Sequence, residues 1–305
     1  MLVSNDHSNT TTGRLVLGTA QLGMQYGINN KSGQPDLQTA EDIVKAAWEG
    51  GIREFDTAHA YGESECVLGK VLRRLEIENE VKVITKLSST INHLVPMDLK
   101  QTLEESLERL CVSKLYGIML HREELLDQWD QGLGETLSEL VSSGLVDHIG
   151  VSVYSPQKSL EALEIKDIKM VQVPSNIIDR RFEDAGVFQS AERKSKIIYV
   201  RSIFLQGLLF KDHDDLLPSM SFASQILRKF ELLANKAEIS KQQLALGYVR
   251  EVYPEAKMLF GAETISQVKS NLEVWNHTLS PWIVKEAQEL FHDVDERVLN
   301  PSLWN

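Results

Sequence analysis

The sequence predicts a single (β/α)8 barrel of the TIM type. Short apolar runs alternate with amphipathic stretches along the 305 residues. Eight such units in about 250 residues match the size of this barrel. No linker-like stretch divides the chain, and it carries no short-period repeat. Strand–helix alternation of this kind implies parallel strands joined by right-handed crossovers.

The apolar runs, taken in order, justify the strands. Residues 14–17 lead into Gly18, and residues 52–55 into Asp56-Thr57-Ala58-His59-Ala60-Tyr61-Gly62-Glu63-Ser64-Glu65. Residues 81–85 lead into Lys86, and 115–120 into His121. Residues 148–151, 170–173, 197–200 and 258–260 complete the set. Between them, apolar residues recur at helical spacing, as in Leu99, Leu103, Leu107 and Leu110, or Leu137, Leu140, Val141 and Leu145. Ser240 with Gln243, and Thr264 with Gln267, read as helix starts, and Gly144 as a helix stop. Residues 207–221 are long and irregular, and such an insertion after strand seven is expected over the active face. An open doubly wound sheet is the runner-up. It would want a glycine-rich turn after its first strand, and Gly18-Thr19-Ala20-Gln21-Leu22-Gly23 has the wrong spacing. Residues 1–12 are polar and read as a loose tail. The barrel and its C-terminal helices then occupy residues 13–305.

Composition narrows the function. There are 32 basic and 44 acidic side chains, a net charge of −12. Nucleic acid or an anionic membrane is therefore not expected as a partner, since both need an attractive field. No apolar run is long enough to span a bilayer. The N-terminus lacks the basic start and apolar core of a secretory signal, so a cytoplasmic location is expected. Cys66 and Cys111 have no metal-like spacing and read as buried free thiols in a reducing compartment. No His-x-His or His-x-x-x-His occurs, so no metal site is expected. His93 and His148 read as ordinary polar residues on loops or helix flanks. The tryptophans read as packing residues. Trp129, in the loop after His121, is the one candidate to line a pocket. His59 either faces a substrate or shields its loop. Oligomeric state is not legible.

In a barrel the C-terminal ends of the strands converge on one face. Asp56, Lys86 and His121 follow strands two, three and four, and Tyr61 lies in the loop after Asp56. A free phenol, with a pKa near 10, is a poor acid at neutral pH. A nearby ammonium favours the phenolate, and a carboxylate holds that ammonium charged and oriented. A histidine can hydrogen-bond a carbonyl oxygen. Such a set protonates an oxygen as a hydride arrives at its carbon.

On these residues the chain resembles an aldo-keto reductase, from Leu15 to about Leu272. The resemblance is carried by Gly18-Thr19, Asp56 with Tyr61-Gly62-x-Ser64-Glu65, Thr85-Lys86, Leu120-His121, Ile149-Gly150-Val151-Ser152, Val171-Gln172, and Gly261-Ala262 with Asn271. It implies that Tyr61 is the general acid, that Lys86 and Asp56 tune it, and that His121 orients the carbonyl of a small-molecule substrate. It also implies a nicotinamide cofactor. Gly18 and Thr19 match the loop near the nicotinamide ribose. Ser152 and Gln172 match the carboxamide ligands, although Val153 stands where the family usually has Asn. Arg201-Ser202 opens the loop after strand seven. There a guanidinium replaces the usual stacking aromatic and can itself stack on a planar ring. Leu205, Gln206 and Gly207 match the loop over the pyrophosphate. Gly261, Glu263 and Gln267 follow strand eight, and Asn271 matches the adenine contact. Ser270 stands where a Glu often precedes that Asn. Many relatives grip the 2′-phosphate of NADPH with an Arg, whereas Glu263 would repel it and accept a bond from a free ribose hydroxyl. The family thus favours NADPH and Glu263 favours NADH.

A closer likeness links residues 18–28 and 201–207 to a branch found with bacterial surface-polysaccharide and nucleotide-sugar genes. It implies a sugar-like carbonyl substrate. Two rival readings stand beside reduction. One is an epimerase or dehydratase that keeps its nicotinamide through each cycle. The other is a nicotinamide-sensing subunit without turnover.

Overall fold

The computed structural model describes residues 11–88 and 90–304. The tail expected over residues 1–12 therefore lies almost entirely outside the described residues. Eight strands form: β1 (Leu15–Gly18), β2 (Glu54–Asp56), β3 (Lys82–Lys86), β4 (Leu115–Leu120), β5 (Val146–Ser152), β6 (Ile168–Pro174), β7 (Ile197–Arg201) and β8 (Lys257–Gly261). They close into a barrel in sequence order, each parallel to both neighbours. The expected (β/α)8 barrel is therefore the observed fold.

Some boundaries differ from the apolar runs, for local reasons. Ile52 bonds through its N–H to Ala47 O at 3.0 Å and closes the preceding helix, so β2 begins later. β5 and β6 begin earlier because Asp147 and Lys169 are strand residues exposed at the barrel's lower rim. The segment expected to be irregular holds 3-10 turns at Leu205–Phe210 and Pro218–Ala223. Ser240 and Gln243 form the reciprocal capping box. At the next helix Thr264 accepts from Gln267 N, but the Gln267 side chain reaches the N–H of Glu263 instead of the cap residue. Cys66 and Cys111 are unpaired and only half-buried, where full burial was expected. Cys111 caps a helix in the left-handed region, and Cys66 lies on the helix after β2. His93 is 3% exposed, with Nε2 unpartnered among the described residues, and so is more enclosed than an ordinary loop histidine. No helix among the described residues is long and apolar enough to cross a membrane.

Side chains alternate between the barrel interior and the helix layer with the period of two that strands impose. The interior middle layer holds Val16, Ile84, Met119, Met170, Tyr199 and Leu259. On β2, Glu54 stands level with Val16 in the strand register. It is buried and takes hydrogen bonds from Tyr199 Oη at 2.9 Å and Lys257 Nζ at 2.8 Å, closing the barrel floor. A step of two residues from the middle layer toward the strand C-termini reaches Gly18, Lys86, His121, Gln172, Arg201 and Gly261, with Asp56 level with Gly18 and Ser152 level with Gln172. The pattern that builds the apolar plug thus delivers the polar groups to the catalytic end.

Candidate active site

Lys86 is buried at the top of β3, 1% exposed. It donates to Asp56 Oδ1 at 2.6 Å and to Thr57 O at 3.0 Å. Tyr61 lies beside it, with its ring centroid 5.0 Å from the ammonium nitrogen. Burial alone would push this ammonium down, but the Asp56 carboxylate and Tyr61 outweigh it and hold Lys86 above its ordinary value. It is therefore a fixed cation at neutral pH. Tyr61 lines the cleft, where a phenol proton can be given to a bound molecule.

The second oxygen of Asp56 is also occupied. Gln172 Nε2 donates to Asp56 Oδ2 at 2.8 Å, and Gln172 Oε1 accepts from Ser152 Oγ at 3.4 Å. The chain Ser152–Gln172–Asp56–Lys86–Tyr61 therefore runs across the barrel mouth.

The Tyr61 loop is held by unusually close backbone packing. Gly23, at the end of the short helix after β1, leaves no room for a side chain. A Cβ there would lie 2.0 Å from Tyr61 O and 2.2 Å from Ser64 N. Gly23 O in turn accepts from Glu63 N at 3.2 Å. Ser64 Oγ donates to Thr19 O at 2.7 Å and pairs with the Thr57 and Thr19 hydroxyls at 2.9 and 2.8 Å. Glu65 accepts from Thr85 Oγ1 at 2.6 Å and Arg109 Nε at 2.8 Å. Gly23→Ala should therefore push Tyr61 off its position and lower kcat by about a hundredfold, the usual scale for a misplaced catalytic group. Wild-type kcat in that variant would contradict the packing argument.

His121 faces Tyr61 edge-on, with ring centroids 5.8 Å apart. Burial, then the positive fields of Lys86 and Arg201, lowers its pKa to about 4. At neutral pH it is an uncharged imidazole, able to donate one hydrogen bond without being an acid. The pH profile of kcat/KM is accordingly expected to lack an acid limb between about pH 5 and 7. A limb near 6.5, the ordinary histidine value, would mean that His121 protonates freely.

Asp56, Tyr61 and Gln172 open on a cleft of about 440 Å³ that runs along the barrel mouth, and His121 stands beside Tyr61 outside its lining. Gly18, Thr19, Asp56, Tyr61, Gln172, Arg201, Ser202, Gln206, Gly207, Gly261, Glu263, Gln267 and Asn271 all line it. Lys86 lies beneath it. Ser152 reaches it through Gln172. Leu205 supports it from the core, 1% exposed. Its walls fit an extended dinucleotide. Bare glycine backbone borders the cleft at Gly18, Gly27, Gly207 and Gly261, and neutral amides supply donors at Gln172 and Asn271. Asn271 is oriented by Gln242, whose Nε2 donates to its Oδ1 at 2.8 Å. Among the described residues, the charged side chains on the lining are Asp56, Arg201 and Glu263. The half-buried Glu263 has its carboxyl raised by desolvation.

The loop after β7 is clasped across the cleft to the loop after β1. Asn29 Nδ2 donates to Gly207 O at 2.7 Å, and Ile28 N to Gln206 O at 3.0 Å. Ser202, Leu205 and Gln206 take positive φ there, a strained conformation for residues other than glycine.

Two candidates stand elsewhere. Trp129 is turned into the space beside Gly134 and packs on the core. It does not line the cleft, because the 3-10 turn Glu123–Gln131 carries it away from the mouth. His59 is half-buried, bonds through its N–H to Lys86 O at 3.2 Å, and is likewise not part of the lining. Tyr26, Asn29 and Gln242 do line the cleft, and the sequence reading gave none of them a role. Tyr26 had a usable signal, since Gly27 takes φ +97 in the turn after β1 at the catalytic end.

Comparison with known proteins decides the family. The model of the aldo/keto reductase family matches residues 14–291.

This chain belongs to the aldo/keto reductase family.

It is an NAD(P)H-dependent oxidoreductase acting on small carbonyl compounds. Among its relatives is aldo-keto reductase str7 of Strobilurus tenacellus, 24% identical over 75% of this chain and 74% of that protein. Another is probable aldo-keto reductase 1 of Glycine max, 25% identical over 91% and 85%. The structure of a glycerol dehydrogenase from Gluconobacter oxydans shares the fold, with TM-score 0.73 and 24% identity over 94% of this chain and 93% of that one.

Proposed function

We propose that this reductase converts a sugar-like aldehyde or ketone to its alcohol, with Tyr61 as the proton donor. The observation that carries this reading is the buried Lys86–Asp56 pair beneath Tyr61, its Nζ···Oδ1 contact 2.6 Å long. A nicotinamide held in the cleft beside Gly18, Thr19 and Gln172 would supply the hydride that reduces the carbonyl carbon. Tyr61 Oη gives its proton to the carbonyl oxygen, and the Lys86 ammonium stabilises the phenolate left behind. His121, neutral and opposite, donates a hydrogen bond to the same oxygen and aligns it. Gln172 and Ser152 hold Asp56 oriented and present amide and hydroxyl groups to a carboxamide. The polysaccharide-branch likeness at residues 18–28 and 201–207 supports a polyhydroxylated substrate.

NADH is the preferred donor in this reading. Among the described residues no cationic side chain lines the cleft near Glu263, and a carboxylate there repels a 2′-phosphate while accepting from a ribose hydroxyl. Glu263→Gln is expected to tighten NADPH binding about tenfold while changing NADH binding much less. Fluorescence titration of both reduced cofactors measures this. An unchanged NADPH affinity would move the discrimination elsewhere.

The reading is tested by assaying a panel of aldoses and short aldehydes. One reduced cofactor consumed per alcohol formed supports it. Product formed with the cofactor returned unchanged would favour the epimerase or dehydratase reading. Cofactor binding with no turnover on any substrate would favour the sensing subunit.

A further inference from the structure

Arg201 ends β7 at the catalytic mouth and borders two hollows at once. One is the cleft that Tyr26 and Tyr61 line. The other is a hollow of about 230 Å³ walled by Tyr154, Ser155, Ser202 and Asn300. Its guanidinium lies over the Tyr154 ring, 4.3 Å from the centroid. Its hydrogen bonds are long, 3.3 Å to Ser202 Oγ and 3.4 Å to Val153 O. Among the described residues no carboxylate pairs with it, although the chain carries an excess of acidic side chains.

Its charged neighbours in the smaller hollow are otherwise engaged. Arg181 is held by both oxygens of Asp179, at 2.8 and 2.9 Å. Glu123 spends Oε2 on the N–H groups of Tyr154 and Ser155, at 2.6 and 3.0 Å. The Arg181 guanidinium is held above its ordinary value chiefly by its bonds to Asp179, with Glu296 adding to the negative field on it. Arg201 is thus a half-buried fork of five donors with most of them unspent. A guanidinium in this state is suited to a planar oxyanion gripped by two parallel hydrogen bonds. It shares the cleft wall with Tyr61, and its field reaches His121. The anion it would hold is therefore close enough to belong to the molecule whose carbonyl is reduced.

We propose that Arg201 anchors a substrate oxyanion, so that this enzyme acts on a small oxo compound carrying a carboxylate or phosphate a few bonds from its carbonyl. The inference rests on the carbonyl-reductase reading of the same mouth and narrows its substrate class. A sugar acid or a sugar phosphate meets both requirements. The Tyr154 ring beside the guanidinium offers an apolar face to the intervening carbons.

The test uses paired substrates that differ only in the anion: succinic semialdehyde against butanal, and glyceraldehyde 3-phosphate against glyceraldehyde. The ratio of kcat/KM within each pair is compared in wild type, R201Q and R201K. Wild type is expected to favour at least one anionic member by about tenfold or more, the scale of one charge-assisted hydrogen-bonded contact. R201Q should abolish that preference, chiefly through KM, and R201K should restore part of it. The favoured pair tells carboxylate from phosphate. Equal rates on both members in wild type, or a ratio that survives R201Q, would overturn the proposal. Calorimetric titration with succinate, which has no carbonyl, separates it from the reductase reading. Succinate binding that R201Q removes, with none of the four carbonyl compounds reduced, would sink reduction and leave the anion subsite standing. Neither succinate binding nor anion preference would remove the subsite.

Discussion

Tyr61→Phe is expected to lower kcat by about a thousandfold, within the range for loss of a positioned general acid, and to leave NADH affinity within about twofold. The substitution removes one oxygen from a half-buried ring and keeps the packing against His121. Lys86 keeps its bonds to Asp56 and to Thr57 O. The loss should therefore appear in the chemical step, with little change in KM. Turnover in the variant within tenfold of wild type would mean that another group supplies the proton.

Lys86→Met is expected to do more damage, in two measurable ways. Turnover should fall at least as far as in Tyr61→Phe, because the phenolate loses its counter-charge. Stability should also fall, by about 3 kcal/mol or more, because the Asp56 carboxylate is left buried without its cation. Urea denaturation measures this second effect. A double variant, Lys86→Met with Asp56→Asn, should recover part of the stability and none of the activity. That split would separate the pair's structural burden from its catalytic use. The pair also sets a pH dependence. The folded state holds the Lys86 proton more tightly than the unfolded chain does, whose value is near 10.5. Its contribution is complete below that value and is lost as the pH rises through the folded one. A Lys86→Met midpoint equal to wild type would contradict the buried-pair account.

Most of the catalytic mouth was legible because two periodicities coincide. Asp56, Lys86, His121, Ser152, Gln172 and Arg201 sit at the ends of apolar runs, where a period of two carries the polar residue inward once the plug below it is complete. Strand ends were less legible where polar residues belong to the strand. Asp147 and Lys169 extend β5 and β6 because the barrel rim is wet. Contacts between residues distant in sequence left no local signal. The bond from Gln172 to Asp56 joins residues 116 apart. The meeting of Gly23 with the Tyr61 loop depends on a helix of four residues. Trp129 was misjudged because position after β4 does not fix direction, and its 3-10 turn aims the indole at Gly134. Arg201 follows an apolar run and so ends β7 at the mouth, but its stacking on Tyr154 depends on a loop that only the closed barrel brings alongside.

The most direct test of the account is the fate of the hydride. The enzyme is incubated with NADH carrying deuterium at the transferable position and with whichever carbonyl compound it reduces best, and the product is read by mass spectrometry and NMR. The account predicts one deuterium on the former carbonyl carbon, hydrogen from solvent on the oxygen, and oxidised cofactor in equal amount. Product without deuterium, beside cofactor that still carries it, would contradict it.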